Sequence, residues 1–309
     1  LESKLQTMIK STDIDILDLN FLEESHVIAN YLIKSKAGLV LIETGPETTF
    51  ENLVKAIENT GNSWKDIKHV ILTHIHFDHA GAAWKFAENG AKIYVHPIGL
   101  PHLNNPEKLW NSAKRIYKDD MEKLWGEMKS IDENLLIPVD DGDLIKIGDL
   151  EFKTIYTPGH AIHHNAYQLG EVIFTGDVAG VKINNGPVVP PCPPPDIHIE
   201  DWKNSIEKIR IAKPKALYLA HYGKVEEVEK HLNQLEEMID NWALWIKPYY
   251  EKEIHPKEIT PKFIAYTQNQ LRELSVSDAD IEKYEKGNPS FMSVTGLLRY
   301  WKLKDQGRI

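Results

Sequence analysis

The chain has 309 residues, of which 42% are hydrophobic and 27% charged, an ordinary balance for a soluble protein large enough to bury a substantial core. A net charge of −10 at pH 7, with no long Lys/Arg cluster to override it, argues against nucleic acid as a partner. No apolar run is long enough to span a bilayer, and the first residues lack a signal-peptide pattern, so a cytoplasmic protein is expected, with a small molecule rather than a membrane as its partner.

From the amino end, short apolar runs at 14–19, 27–33 and 39–42, the last ending in Glu43-Thr44-Gly45-Pro46, predict three consecutive strands. Thr48 and Glu51 have capping-box spacing, and Phe50, Leu53, Val54 and Ile57 share one helical face that Gly61 closes. Val70-Ile71-Leu72 predicts a buried strand, followed by the run His74-Ile75-His76-Phe77-Asp78-His79 and a helical stretch over 80–89. A strand over 91–95 leads into a helical insertion over about 106–129, where Trp110, Lys114, Tyr117, Met121, Leu124 and Trp125 recur at mostly helical spacing. Such an insertion is placed to line a pocket.

Strands return at 135–139, 144–147, 150–156, 166–169 and 171–175, with Asp141-Gly142 and Gly170 marking turns. A proline-rich loop over 186–195, a helix over 199–212 and a strand over 215–220 continue the strand-helix pattern up to His221-Tyr222-Gly223. Strand signals then stop. Val225, Val228, Leu232, Leu235, Ile239 and Trp242 mark a long amphipathic helix, and Phe291, Val294, Leu298 and Trp301 mark another. Thr260-Pro261 and Asn288-Pro289 read as N-cap and N1 pairs of helices. Residues 1–223 are thus expected to form a catalytic domain and 224–309 a helical C-terminal region.

Chemistry concentrates in the histidine run. The single cysteine, Cys192, excludes a disulfide and every paired-cysteine zinc site, so a metal must be held by His and carboxylates. In an extended loop residues two apart point the same way, so His74 and His76 can converge on one ion while Asp78 and His79 address a second. A chance His-x-His-x-Asp-His match in this composition is on the order of two in a thousand. Three further residues stand just after apolar strands: His160 in Thr157-Pro158-Gly159-His160, Asp177 in Thr175-Gly176-Asp177, and His221 after Leu217-Tyr218-Leu219-Ala220.

Over about residues 12–223 this order resembles the metallo-β-lactamase superfamily, most closely its glyoxalase II and lactonase branch. The resemblance implies an α/β fold, an αββα sandwich, with one metal on His74, His76 and His160, a second on Asp78, His79 and His221, and Asp177 bridging them. It implies two divalent ions, zinc first, with iron or manganese also compatible. The reaction implied is attack of a metal-bridging hydroxide, oriented by Asp78 as the catalytic residue, on a small ester-type bond such as a thioester or lactone. An alternative from the same resemblance is a mononuclear iron persulfide dioxygenase, which uses positions like His74, His160 and Asp177 while the other ligands remain. A ribonuclease Z-like nuclease ranks below both in so acidic a chain.

Departures narrow the choice. Asp177 stands where many true β-lactamases have Cys or no bridging carboxylate, His76 where flavodiiron proteins generally have Glu, and Gly180 where quorum-signal lactonases often have Tyr. Glu43 replaces the Asp common in relatives, which is expected to adjust hydrogen bonding around the ligands. His163 and His164 read equally as pocket or ligand-orienting residues and as a surface turn, and Tyr222 as a packed strand-end residue. His26, His69, His96, His102, His198, His231 and His255 have no partner spacing, and Cys192 is expected to be inert.

Overall fold

The computed structural model describes residues 14–309. One sheet contains, in chain order, β1 (Ile14–Asp18), β2 (Ala29–Ser35), β3 (Gly38–Ile42), β4 (Ile67–Ile71), β5 (Lys92–Val95) and β6 (Leu136–Pro138). The first three pair antiparallel and β3 to β6 parallel. The second sheet holds β7 (Leu144–Ile147), β8 (Leu150–Tyr156), β9 (Asn165–Leu169), β10 (Val172–Val181), β11 (Ala216–His221) and β12 (Gly223–Val225). Only β10 and β11 run parallel there.

The two-residue period of the strands divides their side chains between two faces. In β3, Val40 and Ile42 join the core between the sheets, whereas Leu39 and Leu41 face outward under helices. In β11, Ala216 and Tyr218 face the other sheet while Leu217 and Leu219 face helices. Every residue of β10 is buried, as expected for a strand covered on both sides. Tyr31 on β2 donates its hydroxyl to Leu219 O on β11, and Tyr167 on β9 donates to Leu72 O at 2.8 Å, so buried phenols tie the layers.

Over the outer face of the first sheet lie α1 (Phe50–Asn59), α2 (Phe77–Ala80), α3 (Ala83–Glu88), α4 (Leu100–Asn104), α5 (Glu107–Tyr117) and α6 (Met121–Trp125). Over the second lie α7 (Ile199–Ile211), α8 (Val228–Glu251), α9 (Pro256–Glu273), α10 (Asp278–Gly287) and α11 (Ser290–Asp305). The result is the αββα sandwich expected, with a helical C-terminal region that shares one core cluster with β10, β11 and α7. No helix among the described residues is long and apolar enough to cross a membrane.

Several local expectations are corrected. Thr48 caps nothing: a 3-10 turn over Glu47–Thr49 precedes α1, and Thr48 Oγ1 donates to Leu124 O at 2.8 Å instead. The 106–129 insertion is helical as expected, in two helices, because Lys118 takes φ +50° and Gly126 φ +69°, ending α5 and α6 in turn. Helix α9 starts at Pro256, capped by His255 Nδ1 accepting from Lys257 N at 3.2 Å, so Thr260-Pro261 falls inside it. Thr260 Oγ1 donates to Pro256 O at 2.9 Å there. Helix α11 starts one residue late, with Pro289 as N-cap.

Candidate metal centre

The structure brings all seven predicted residues to one end of the sandwich. His74 and His76 follow β4, Asp78 and His79 lie within α2, His160 stands in the loop after β8, and His221 is the last residue of β11. Asp78 and His79 therefore belong to a single helical turn rather than preceding a helix. Asp177 sits where β10 leaves the ladder: Gly176 pairs with Leu219, but the next registered pair is Val181 with His221. That irregularity releases a carboxylate from between two sheet faces. Three overlapping groups result, His74/His76/His160, His74/His79/Asp177 and Asp78/His79/His221, each with ligand atoms within 4.8 Å of one another.

Hydrogen bonds at the far nitrogens decide which atoms face inward. His160 Nδ1 lies 2.9 Å from Pro191 O and His221 Nδ1 lies 2.9 Å from Val27 O. A carbonyl only accepts, so both rings donate there, and in the neutral ring that a metal binds the Nε2 lone pair faces inward. The Thr73 hydroxyl donates to Glu43, so at 3.0 Å it accepts from His74 Nδ1 and leaves His74 Nε2 bare as well. His74 Nε2 and His160 Nε2 then lie 2.9 and 3.1 Å from His76 Nδ1. One proton cannot satisfy three mutually facing nitrogens. A cation can.

The second group shows the same need. His79 Nε2, His221 Nε2 and Asp177 Oδ1 are buried without hydrogen-bond partners, though His79 Nε2 and His221 Nε2 stand 3.3 and 3.5 Å from Asp177 Oδ1. Asp177 Oδ2 instead faces His160 Nε2 at 3.4 Å. The two oxygens of one carboxylate thus address two groups. Asp78 Oδ2 lies 3.4 Å from His221 Nε2, and no Lys or Arg pairs with Asp78, Asp177 or Glu43 among the described residues.

Charge within the cluster follows from burial and these contacts. Burial, then the surrounding histidines, holds His74 well below its usual value; burial lowers His76 too and brings His160 down to about 4. All three shifts favour the neutral ring that ligation requires. Burial also opposes charge on His79 and His221, but Asp177 and Asp78 outweigh it and raise both. Burial pushes the two carboxyls up, yet His79 and His221 hold both below the ordinary range. The carboxylates demand positive charge, which dications supply. The donor set fits divalent metal.

Outer contacts hold the donors. Glu43 Oε1 accepts from Thr73 N at 3.2 Å and from the Thr73 hydroxyl, and lies 3.5 Å from His79 Nδ1. His164 Nε2 accepts from Asp177 N at 3.3 Å, so its Nδ1 donates to Thr157 Oγ1 at 2.8 Å. Gly176, at φ +49°, makes room for this: a Cβ there would stand 2.4 Å from Thr73 Oγ1 and 2.8 Å from His164 Nε2. Thr73→Val removes the acceptor for His74 Nδ1 and the donor to Glu43 at nearly constant volume. Chelator competition is expected to show zinc affinity about 10 to 100-fold weaker. Unchanged affinity would remove Thr73 from this role.

The centre opens on a cavity of about 740 Å³ with His76, Asp78, Asp177 and His221 on its wall. Phe21, Ile28, Ile75 and Phe77 contribute apolar surface, and Leu109, Ile116 and Tyr117 of the insertion and Lys286, Asn288, Pro289 and Met292 of the C-terminal region add to it. The insertion does line the pocket. His163 lines it as well, nearly buried, and burial with the neighbouring histidines keeps its ring neutral. His102, without motif spacing, also reaches this cavity. Tyr222 does not: it stacks on His26 at 4.5 Å between ring centroids with its hydroxyl 3.5 Å from Asp18 Oδ2. Cys192 is buried, which pushes its thiol up and leaves it inert.

Comparison with known proteins places the fold. A metallo-beta-lactamase fold-containing protein of Sulfurisphaera tokodaii, ST1585, is 32% identical over 175 residues, 55% of this chain and 66% of that protein. The crystal structure of ST1585 superposes with a TM-score of 0.60 and 27% identity over 72% of this chain and 85% of that one. A metallo-beta-lactamase family protein of Thermus thermophilus, TTHA1429, shares the fold across 96% of this chain and 94% of its own, with a TM-score of 0.64 and 17% identity. The lactamase-like protein adaB of Aspergillus niger is 29% identical over 153 residues, 48% of this chain. These matches span 66% of ST1585 and 37% of adaB, less than two thirds of either curated relative. The metallo-beta-lactamase superfamily profile matches residues 27–221, the stretch that carries every residue of the centre, and the chain belongs to that superfamily, composed largely of metal-dependent hydrolases.

Proposed function

We propose that the protein is a binuclear metal hydrolase acting on a small ester-type bond, a thioester, a lactone or a related acyl compound, with zinc as the metal. The observation that carries this reading is Asp177, whose two oxygens face two separate histidine groups at the wall of one cavity. His74, His76 and His160 would hold one ion, and Asp78, His79 and His221 the other. Bound there, such ions supply Lewis acidity and lower the pKa of a ligated water to about 7. The chain's own groups do the rest. Asp78 stands at the cavity wall with Oδ2 toward His221, placed to hold and orient the attacking water's proton. Pro191 O and Val27 O keep His160 and His221 in the ligating tautomer, and the apolar walls exclude bulk water and strengthen every electrostatic contact inside.

The rival reading, a single iron with oxygen chemistry on a persulfide, would use His74, His160 and Asp177 while Asp78, His79 and His221 remain in place, so metal identity and stoichiometry separate the two. Metal analysis of the purified and reconstituted protein, with a panel of lactones, thioesters and aryl esters, tests the choice. About two zinc ions per chain with hydrolytic turnover is the expected result. One iron per chain, oxygen uptake on glutathione persulfide and no ester cleavage would overturn it.

A further inference from the structure

The buried histidines of this protein are almost all anchored. His160 donates to Pro191 O, His221 to Val27 O and His164 to Thr157 Oγ1, while His231 Nε2 lies 2.7 Å from Ala179 O. His79 is unpaired within the metal group, and among the described residues outside the ligand set His163 is the exception. It is 7% exposed, its Nδ1 is buried with no partner, and no side-chain hydrogen bond holds its ring among the described residues. The ring nevertheless has a fixed place, its centroid 5.6 Å from that of His76 and perpendicular to it, and it faces the cavity. A buried polar group left unpaired is costly, and such groups call for an explanation beyond packing.

The tautomer follows from the same facts. A neutral imidazole carries one N–H. On Nδ1 that proton would be a buried donor without an acceptor, the rarer and costlier kind of orphan; on Nε2 it leaves Nδ1 as a lone pair and puts the donor on the nitrogen that is not buried, in a ring that lines the cavity. We propose that His163 is a catalytic residue whose Nε2–H donates a hydrogen bond to the substrate oxygen on which negative charge develops as the acyl bond is attacked. No bond to His163 forms or breaks; the ring supplies a preorganised dipole in a site sheltered from water, where one such donor contributes about 100 to 1000-fold in rate. The chemistry rests on the hydrolase reading above, whereas the tautomer can be examined without it.

The test uses the full chain, labelled with ¹⁵N-histidine and loaded with zinc. Long-range ¹H–¹⁵N spectra, with His163→Leu assigning the signal by difference, are expected to show His163 as the neutral Nε2–H tautomer; an Nδ1–H ring overturns the proposal. With the ester that the protein turns over best, His163→Leu is expected to lower kcat by about 100-fold with KM changed less than about threefold and zinc content and thermal unfolding unchanged. His163→Gln, which keeps an N–H donor, is expected to recover part of that loss. Equal kcat in wild type and His163→Leu would overturn the role. If the zinc-loaded protein cleaves no ester, the hydrolase reading fails instead, and the tautomer still decides whether a donor faces the cavity.

Discussion

His76→Ala is expected to abolish tight metal binding and with it hydrolysis, while leaving the fold intact. Of the three nitrogens that face one another in the first group, His76 Nδ1 is the central one, 2.9 Å from His74 Nε2 and 3.1 Å from His160 Nε2. Removing it strips that ion of one direct ligand and leaves only His74, His160 and one oxygen of Asp177 to hold it. Loss of a direct ligand should exceed the roughly 10 to 100-fold associated with outer partners. The fold should survive because His76 is partly exposed at the cavity wall and its side chain caps no helix, unlike the fully buried His74 and His79. Elemental analysis gives the metal content, and thermal unfolding with and without zinc gives the linkage. Wild type saturated at 1,000 times its dissociation constant gains about 4 kcal/mol, and the variant should gain far less. Normal stoichiometry with full activity would sink the ligand assignment.

The positions that the structure brings together are legible because each is a distinctive residue type near the end of an apolar run in the sequence, and such runs converge at one end of the sandwich. His74 to His79, His160, Asp177 and His221 all carry that signal. The groups that aim the ligands carry none. Pro191 and Val27 act through backbone carbonyls, which every residue possesses, and Thr73 acts through a contact with Glu43, 30 residues away in the chain. Helix starts failed for a related reason: His255-Pro256 and Thr260-Pro261 both offer a cap and a proline, and tertiary packing placed Ile259 in the core, which requires helix before Thr260. Glu43, by contrast, was identified as a residue adjusting hydrogen bonds near the ligands, and its contacts with Thr73 and His79 are of that kind.

The C-terminal helices invite the largest structural test, because the sequence marks a change of character at residue 224 while the packing shows none. Deleting residues 226–309 is expected to yield an insoluble chain, or one that binds hydrophobic dyes and unfolds without cooperativity. In α8 alone, Leu232, Leu235, Ile239, Trp242 and Ile246 are all buried, together contributing roughly 7–15 kcal/mol at 1.5–3 kcal/mol each. That equals the whole stability of a typical domain, about 5–15 kcal/mol. Their removal would uncover Val178, Trp202, Ile206 and Leu219 of the same cluster. The effect would reach the metal centre by a definite route. Helix α11 lies against the proline loop so closely that a Cβ on Gly296 would stand 2.0 Å from Cys192 O. Arg299 Nε donates to Pro195 O at 2.9 Å, and Asn288 Nδ2 to Pro190 O at 3.1 Å. Between those anchored positions lies Pro191, whose carbonyl turns His160 toward the site. A truncated chain that remained soluble, unfolded cooperatively and kept wild-type metal content would show that 1–225 stands alone and that this clamp is dispensable.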